Sequence, residues 1–321
     1  MWLRPARFSG CRTLRSAVRQ FRHELKATIV FGPTYATNRF VRPYPPRGFT
    51  PRQTQGPGEL EVHMLTSDRD HCMALWSALS YYLTSGRNDS LIVHDDGTFG
   101  EHAIEAMRRY FVEVRIIRRK EADDVVTERF RRFPLLLKLR RRLPHILKLT
   151  DFYAFCDAAR FVMLDSDVLF FSSPRELCCA GSGHWFSEDI FTAYAVDLEA
   201  LRSRTKVDLP PRVNCGMANV AKGLVDFEAM EWLLGRGLID LDSCLPNVEQ
   251  TLWAVECRRS GFQFLPNSYG IARGPGRNGL IAKHYVGGVV DRFRTARDYF
   301  FTEGIPAVRA MLNAGKVGIH S

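Results

Sequence analysis

From Glu59 onward, hydrophobic and polar positions fall into two alternating rhythms. Leu60-Glu61-Val62-His63-Met64-Leu65-Thr66 alternates with a period near two, the mark of a strand. Residues 70–84 follow with Leu75, Trp76, Leu79 and Leu83 on one helical face. Ser90-Leu91-Ile92-Val93-His94 predicts a second strand, closed by the turn-forming Asp95-Asp96-Gly97. A helix over 100–111 leads to a third strand over 112–117. Residues 123–158 predict helix, interrupted at Pro134 and Pro144 because proline cannot donate to the preceding turn. Arg160-Phe161-Val162-Met163-Leu164 then reads as a fourth, buried strand. Strands separated by helices in this order imply a parallel sheet with right-handed crossovers.

Beyond Asp167 the rhythm is mixed, with strands near 184–187, 213–220, 262–265 and 281–286 and helices near 226–236, 247–260 and 304–314. The fold class is therefore α/β: a mostly parallel, nucleotide-binding type of mixed sheet over 59–170, followed by an α+β half over 171–321. Residues 1–58 differ. Leu14, Val18, Phe21 and Leu25 share a helical face among Arg4, Arg7, Arg12, Arg15, Arg19 and Arg22, and 32–58 is a Pro/Gly-rich stretch that predicts an extended linker. Such an arm suits either a solvated tail or peripheral contact with a membrane surface through residues 1–31.

Charge changes the picture only at that arm. The net +10 is accounted for entirely by residues 1–58, with eleven Lys or Arg and one acid, Glu24. The remaining chain is electrically balanced, so no nucleic-acid partner is expected for it. The eight cysteines form no C-x-x-C pair, which fits free thiols in a reducing, cytoplasmic setting. The chain contains no apolar run long enough to span a bilayer. No G-x-G-x-x-G follows a strand and no G-x-x-x-x-G-K-[ST] occurs, which disfavours dehydrogenases and P-loop NTPases.

The chemistry concentrates in Phe161-Val162-Met163-Leu164-Asp165-Ser166-Asp167-Val168-Leu169-Phe170. Alternation sends Asp165 and Asp167 to one side, and two carboxylates in an apolar setting need a cation or hydrogen bonds to answer them. A divalent ion that also grips a diphosphate would serve, Mg²⁺ and Mn²⁺ both favouring oxygen ligands. His284, between Lys283 and Tyr285 and followed by Gly287, Gly288 and Arg292, lies in a cationic segment suited to a diphosphate. An imidazole ligand would shift preference toward Mn²⁺. Lys138 stands alone in Leu135-Leu136-Leu137-Lys138-Leu139, either as a donor contact or as a stem lying along a core edge, and Arg140-Arg141-Arg142 beside it reads as a solvated surface. Asp189, in an aromatic segment, and Glu249, opening a helix, are the candidate catalytic carboxyls.

In four places this sequence resembles glycosyltransferases of the GT-A fold, above all the retaining families grouped with glycogenin. Met64-Leu65-Thr66-Ser67-Asp68 is similar to the opening strand and turn that cradle the nucleotide, and Leu164-Asp165-Ser166-Asp167 to the D-x-D motif. Val213-Asn214-Cys215-Gly216-Met217 resembles the N-[ST]-G segment, with Cys215 as a departure, and Lys283-His284-Tyr285-Val286-Gly287 the late His-x-x-Gly segment, without the usual K-P-W. The resemblance implies Asp165, Asp167 and His284 as metal ligands, and Thr66, Ser67, Asp68, Lys138, Ser166, Asn214, Lys283, Gly287 and Arg292 as donor contacts. The phosphate-binding cation stays open among Lys283, Arg292 and Arg294.

The implied reaction is metal-dependent transfer from a nucleotide diphosphate sugar, a UDP-sugar by resemblance, to a hydroxyl of a glycan, lipid or small molecule, with retention. If transfer inverted, Asp189 or Glu249 would deprotonate the acceptor. If it retained, the same acid would shield the oxocarbenium-like state or act as nucleophile. Two other readings compete. A sugar-nucleotide pyrophosphorylase would carry a Gly-rich basic loop after the first strand, where Leu65-Thr66-Ser67-Asp68-Arg69-Asp70 stands. A non-catalytic platform acting through its basic arm would have no need for an intact Asp165, Asp167 and His284.

Overall fold

Among the described residues, ten strands carry the architecture: β1 (Leu60–Thr66), β2 (Ser90–Asp95), β3 (Arg115–Ile117), β4 (Arg160–Leu164), β5 (Val168–Phe170), β6 (His184–Glu188), β7 (Val213–Ala221), β8 (Phe262–Phe264), β9 (Tyr269–Ile271) and β10 (Ala282–His284). The computed structural model describes residues 59–317 except 112, 180, 182, 243–246, 272–273 and 287–294, together with Arg22, Leu25, Ile29 and residues 43–46. The main sheet has seven strands in the order β3-β2-β1-β4-β7-β6-β8. β1 to β4 run parallel, β7 is antiparallel to both its neighbours, and β6 and β8 are parallel to each other. β5, β10 and β9 form a second, three-stranded sheet.

The parallel core is buried on both faces, as helix-covered parallel strands must be. The alternation in β1 therefore does not mark a wet face. Its polar positions answer one another: Glu61 Oε2 lies 3.1 Å from His63 Nε2, and His63 Nδ1 lies 3.0 Å from His94 Nε2 on β2. The helix His71–Ser85 is buried along most of its length and ends at Gly86, whose φ of 64° is a left-handed cap that an L side chain would strain. Several expected boundaries tighten. The third strand begins only at Arg115, and the long helical stretch divides into Arg119–Arg129, Pro134–Arg142 and Leu147–Phe155. β5, β9 and the helix Leu198–Thr205 carried no clear period in the sequence.

Arg140 is a correction to the expected solvated cluster. It is 2% exposed, with Nε and Nη2 each 2.7 Å from a carboxylate oxygen of Asp151, and Nη1 2.6 Å from Asp123. The reason is helical spacing. Arg140 falls four residues after the fully buried Leu136, on the inward face. This fork ties the helix Pro134–Arg142 to Leu147–Phe155, the helix that carries Lys148.

Part of the expected linker lies against the domain. Trp76 Nε1 donates to the Pro43 carbonyl at 2.6 Å and Tyr110 Oη to that of Pro45 at 2.7 Å. The amphipathic helix expected in 1–31 lies outside the described residues, apart from Arg22, Leu25 and Ile29, which are helical and exposed. Among the described residues no helix is long and apolar enough to cross a membrane, and all six described cysteines are free.

Arg140→Met should destabilise the fold by about 3–5 kcal/mol, because it leaves Asp151 buried without its counter-charge. Urea unfolding measures this, and a loss under about 1 kcal/mol would contradict the assignment.

Candidate functional site

Asp165 and Asp167 sit where the chain passes from the main sheet to the second one. Asp165 N–H still donates to the Gly216 carbonyl at 2.9 Å, continuing the β4–β7 ladder. Two residues later the Asp167 carbonyl accepts from Tyr285 N–H at 2.9 Å, in line with the β5–β10 ladder. Ser77 Oγ donates to the Asp165 carbonyl at 2.9 Å, fastening the segment to the first helix. Both carboxylates face one side, and His284, paired in register with Val168, closes on them. His284 Nε2 is 3.1 Å from Asp167 Oδ1 and 3.7 Å from Asp165 Oδ2. One ligand atom from each of the three lies within 4.8 Å of the others.

Burial works against a charged imidazole, yet Asp167 and Asp165 outweigh it and hold His284 above its ordinary value. Burial likewise opposes the Asp167 carboxylate, which His284, Arg297 and Lys148 nevertheless pull below the usual range. Gly216 makes the approach possible: a Cβ there would come within 2.1 Å of the His284 ring, far closer than any real contact. That is the physical content of the glycine in Asn214-Cys215-Gly216.

Lys148 supplies a second cation. Its Nζ lies 2.6 Å from Asp165 Oδ1 and 3.5 Å from Glu249 Oε2, with the side chain 7% exposed. Burial disfavours the ammonium, but Asp165 and Glu249 hold it charged. Glu249 comes from the first turn of the helix Val248–Ser260, and its Oε1 is buried without a hydrogen-bond partner. Burial, reinforced by Asp165 and offset by Lys148, pushes its carboxyl up to about 7.

A cleft opens beside these groups, at the carboxyl ends of β1 and β4. Thr66, Ser67, Ser166, His145, Lys148 and Arg297 line it together with the two aspartates. Thr66 Oγ1 is buried and unpartnered there. Arg297 is held by Asp70 at 3.2 and 3.3 Å.

The expected residues divide accordingly. Thr66, Ser67, Asp165, Ser166, Asp167, His284 and Glu249 come together. Asp68 braces the β1 turn instead, accepting from Gly100 N–H at 3.0 Å. Asn214 acts from behind, its Oδ1 accepting from Gly216 N–H and its Nδ2 donating to Asp189 Oδ2, both at 2.9 Å. Asp189 also accepts from Ile190 N–H and Gln250 Nε2. Lys138 is a correction: it is 40% exposed, paired with Asp242 at 2.9 Å, and away from the cleft lining. Lys283 is another. Successive strand residues point to opposite faces, so with His284 aimed at the aspartates, Lys283 turns to the Gly274 and Gly276 carbonyls and Glu303. Gly287, Arg292 and Arg294 lie outside the described residues.

Lys148 was hidden by an ambiguity. Ile146-Leu147-Lys148-Leu149 repeats the pattern that singled out Lys138, a lone cation in an apolar helix. Only the packing distinguishes them. Arg297 has no comparable signal.

No family model matches this chain, and no curated protein matches it in sequence. Solved structures do match. The bifunctional glycosyltransferase WbbM superposes with a TM-score of 0.52 over 81% of this chain and 52% of that one, at 11% identity. This chain thus spans about half of WbbM. The galactosyltransferase LgtC, solved with donor and acceptor sugar analogues, gives 0.48 over 76% and 95% at 15% identity. Mouse xyloside xylosyltransferase 1 gives 0.46 over 71% and 98%, also at 15%. At these identities the likeness concerns the fold alone, and the architecture is the GT-A type that the sequence resembles.

The Glu249 carboxyl titrates near 7 in the fold and about 4.3 when unfolded. A raised value means that its contribution to stability is complete below about 4.3 and disappears as the pH climbs through 7. Between pH 5 and pH 8 the natural protein should lose on the order of 2–3 kcal/mol more than Glu249→Gln. Urea melts at the two pH values measure the difference, and parallel profiles would refute the buried, uphill titration.

Proposed function

We propose that this protein is a metal-dependent glycosyltransferase that takes a sugar from a nucleoside diphosphate sugar, a UDP-sugar, and delivers it to a hydroxyl of a glycan, lipid or small molecule. The observation that carries the proposal is the convergence of His284 on Asp165 and Asp167, two aspartates that line a cleft at the carboxyl ends of parallel strands. Open α/β sheets take their ligands there.

The donor set suits a divalent ion. Two carboxylates and an imidazole, drawn together against their own desolvation, form an oxygen-and-nitrogen set that favours Mn²⁺ over Mg²⁺. When bound, the ion supplies positive charge against the diphosphate leaving group. The chain's own residues do the rest. Thr66 Oγ1, buried and unpartnered, and Ser67 meet the nucleoside. Among the described residues, Arg297 rather than Lys283 lines the cleft as a cation for the phosphates. Lys148 engages Asp165 and Glu249, and an ammonium has a third N–H to offer the donor sugar.

Of the two carboxyl candidates, Glu249 has the free capacity. Asp189 already receives three donors and serves to position Asn214 and Gln250. Glu249 Oε1 has none, so a sugar hydroxyl or a developing oxocarbenium charge would satisfy it. Retention rests on the sequence resemblance, with Glu249 shielding the sugar cation. A pyrophosphorylase is disfavoured because the β1 turn passes into a helix through Ser67, Asp68, Arg69 and Asp70, without a glycine-rich loop.

Release of nucleoside diphosphate from a panel of UDP-, GDP- and ADP-sugars with Mn²⁺ tests the proposal. Turnover with at least one donor should fall about 100-fold or more in Asp167→Asn, and by on the order of 10²–10³ in Lys148→Met. Turnover unaffected by Asp167→Asn, or no turnover with any donor, would refute it.

A further inference from the structure

The end of the main sheet opposite the aspartates holds a second polar cluster, which sugar transfer does not use. Glu61 and His63, two positions apart on β1, present their side chains to one face. Cys156 joins them from the turn between the helix Leu147–Phe155 and β4. All three are buried, and one ligand atom from each lies within 4.8 Å of the others. Glu61 stands near the start of β1 and Thr66, which lines the cleft, at its end. That is roughly 16 Å along a strand, so the cluster is separate from the aspartate site.

Each member alone is ordinary. A buried cysteine fills a core, and the 3.1 Å between Glu61 Oε2 and His63 Nε2 is a hydrogen bond. Charge is what the packing leaves unanswered. The Glu61 carboxylate also accepts from the Asp157 N–H at 3.1 Å. Burial opposes its ionised form, yet these two hydrogen bonds hold it below its ordinary value. Burial likewise holds His63 below its ordinary value, which leaves that imidazole neutral. Among the described residues no lysine or arginine pairs with Glu61. A buried carboxylate without a cation is costly, and such groups are found paired or bound to a metal.

The three ligand types select the metal. Thiolate, imidazole and carboxylate together suit Zn²⁺, whereas Mg²⁺ and Mn²⁺ favour oxygen-rich sets. Zn²⁺ at about 2.0–2.1 Å from nitrogen and oxygen holds them roughly 3.3 Å apart in a tetrahedron, close to the spacing of Glu61 and His63. One carboxylate and one thiolate cancel its two charges, so the filled site tolerates burial. His63 Nδ1, on the other side of the ring, lies 3.0 Å from His94 Nε2, the outer contact that orients a metal-bound imidazole. The way in is short, because the Asp157 side chain, next to Cys156, is 64% exposed. We infer that Glu61 Oε2, His63 Nε2 and Cys156 Sγ form a structural Zn²⁺ site, completed by a water. Binding releases the thiol proton to solvent and leaves His63 as its Nδ1–H tautomer, donating to His94. The ion would tie β1 to the turn that joins β4 to the helix carrying Lys148. This inference is independent of the glycosyl-transfer reading.

The test titrates Co²⁺, a spectroscopic stand-in for Zn²⁺, into the full-length protein after chelator treatment under reducing conditions. Thiolate ligation produces a near-ultraviolet charge-transfer band, which the sulfur-free aspartate site cannot give. The band should saturate at a single ion per chain, disappear when Zn²⁺ is added and be absent in Cys156→Ala. It should persist in Asp167→Asn and in Cys72→Ala, the control for a thiol 3.4 Å from His71 Nε2. Zn²⁺ should raise the unfolding temperature of the natural protein and of Asp167→Asn, but not that of Cys156→Ala. Glu61→Gln keeps the side-chain shape and should bind Co²⁺ tenfold or more weakly. It decides alone if Cys156→Ala does not unfold cooperatively. No band in the natural protein, a band that survives Cys156→Ala, or unchanged affinity in Glu61→Gln would overturn the inference.

Discussion

Two carboxylates that leave an apolar strand on the same side repel each other, and burial makes each costlier still. Asp165 and Asp167 are held in that position by Lys148 on one flank and His284 on the other. Much of the surrounding structure serves this arrangement. The segment spans two sheets, so its backbone is fixed by a β7 carbonyl at one end and a β10 extension at the other. Neither aspartate can swing away without breaking a ladder. Removing either cation would leave the pair with less counter-charge than burial demands, because a desolvated carboxylate that loses a partner keeps the cost of its burial.

The support runs outward in layers. Gly216 leaves room for the imidazole, Asn214 holds the Gly216 backbone, and Asp189 holds Asn214. On the opposite flank, the Arg140 fork joins two helices and so sets the one that carries Lys148. Glu249 reaches the same lysine from the far half of the chain. Residues 59–170 and the later part of the chain thus meet at this ammonium as well as along the β4–β7 ladder.

The β-α-β rhythm and the D-x-D were legible because both are local: periodicity reports which face is buried, and two acids in an apolar run are costly wherever they occur. Glu249 and His284 were legible only as candidates. The misreadings were of two kinds, one long-range and one local. Lys138 and Lys148 share one local pattern, and only the packing of their helices sends Lys148 to Asp165 and Lys138 to a surface aspartate. Lys283 was misread by overlooking strand parity, since a residue next to an inward His284 must face the other way. Arg140 shows the reverse case, for its spacing from Leu136 already marked it as inward among three arginines that seemed alike in composition. Arg297 reaches the cleft from a segment with no distinguishing neighbours, and nothing local could have singled it out.

Calorimetric titration of UDP into the protein, with Mn²⁺ or with a chelator, tests the central claim most directly. If Asp165, Asp167 and His284 join a divalent ion to a nucleoside diphosphate, UDP should bind with Mn²⁺ present, and binding should be lost both in the chelator and in Asp165→Asn. Equal UDP affinity with and without the metal would contradict the role given to the aspartate pair, and no UDP binding under either condition would contradict the donor site itself.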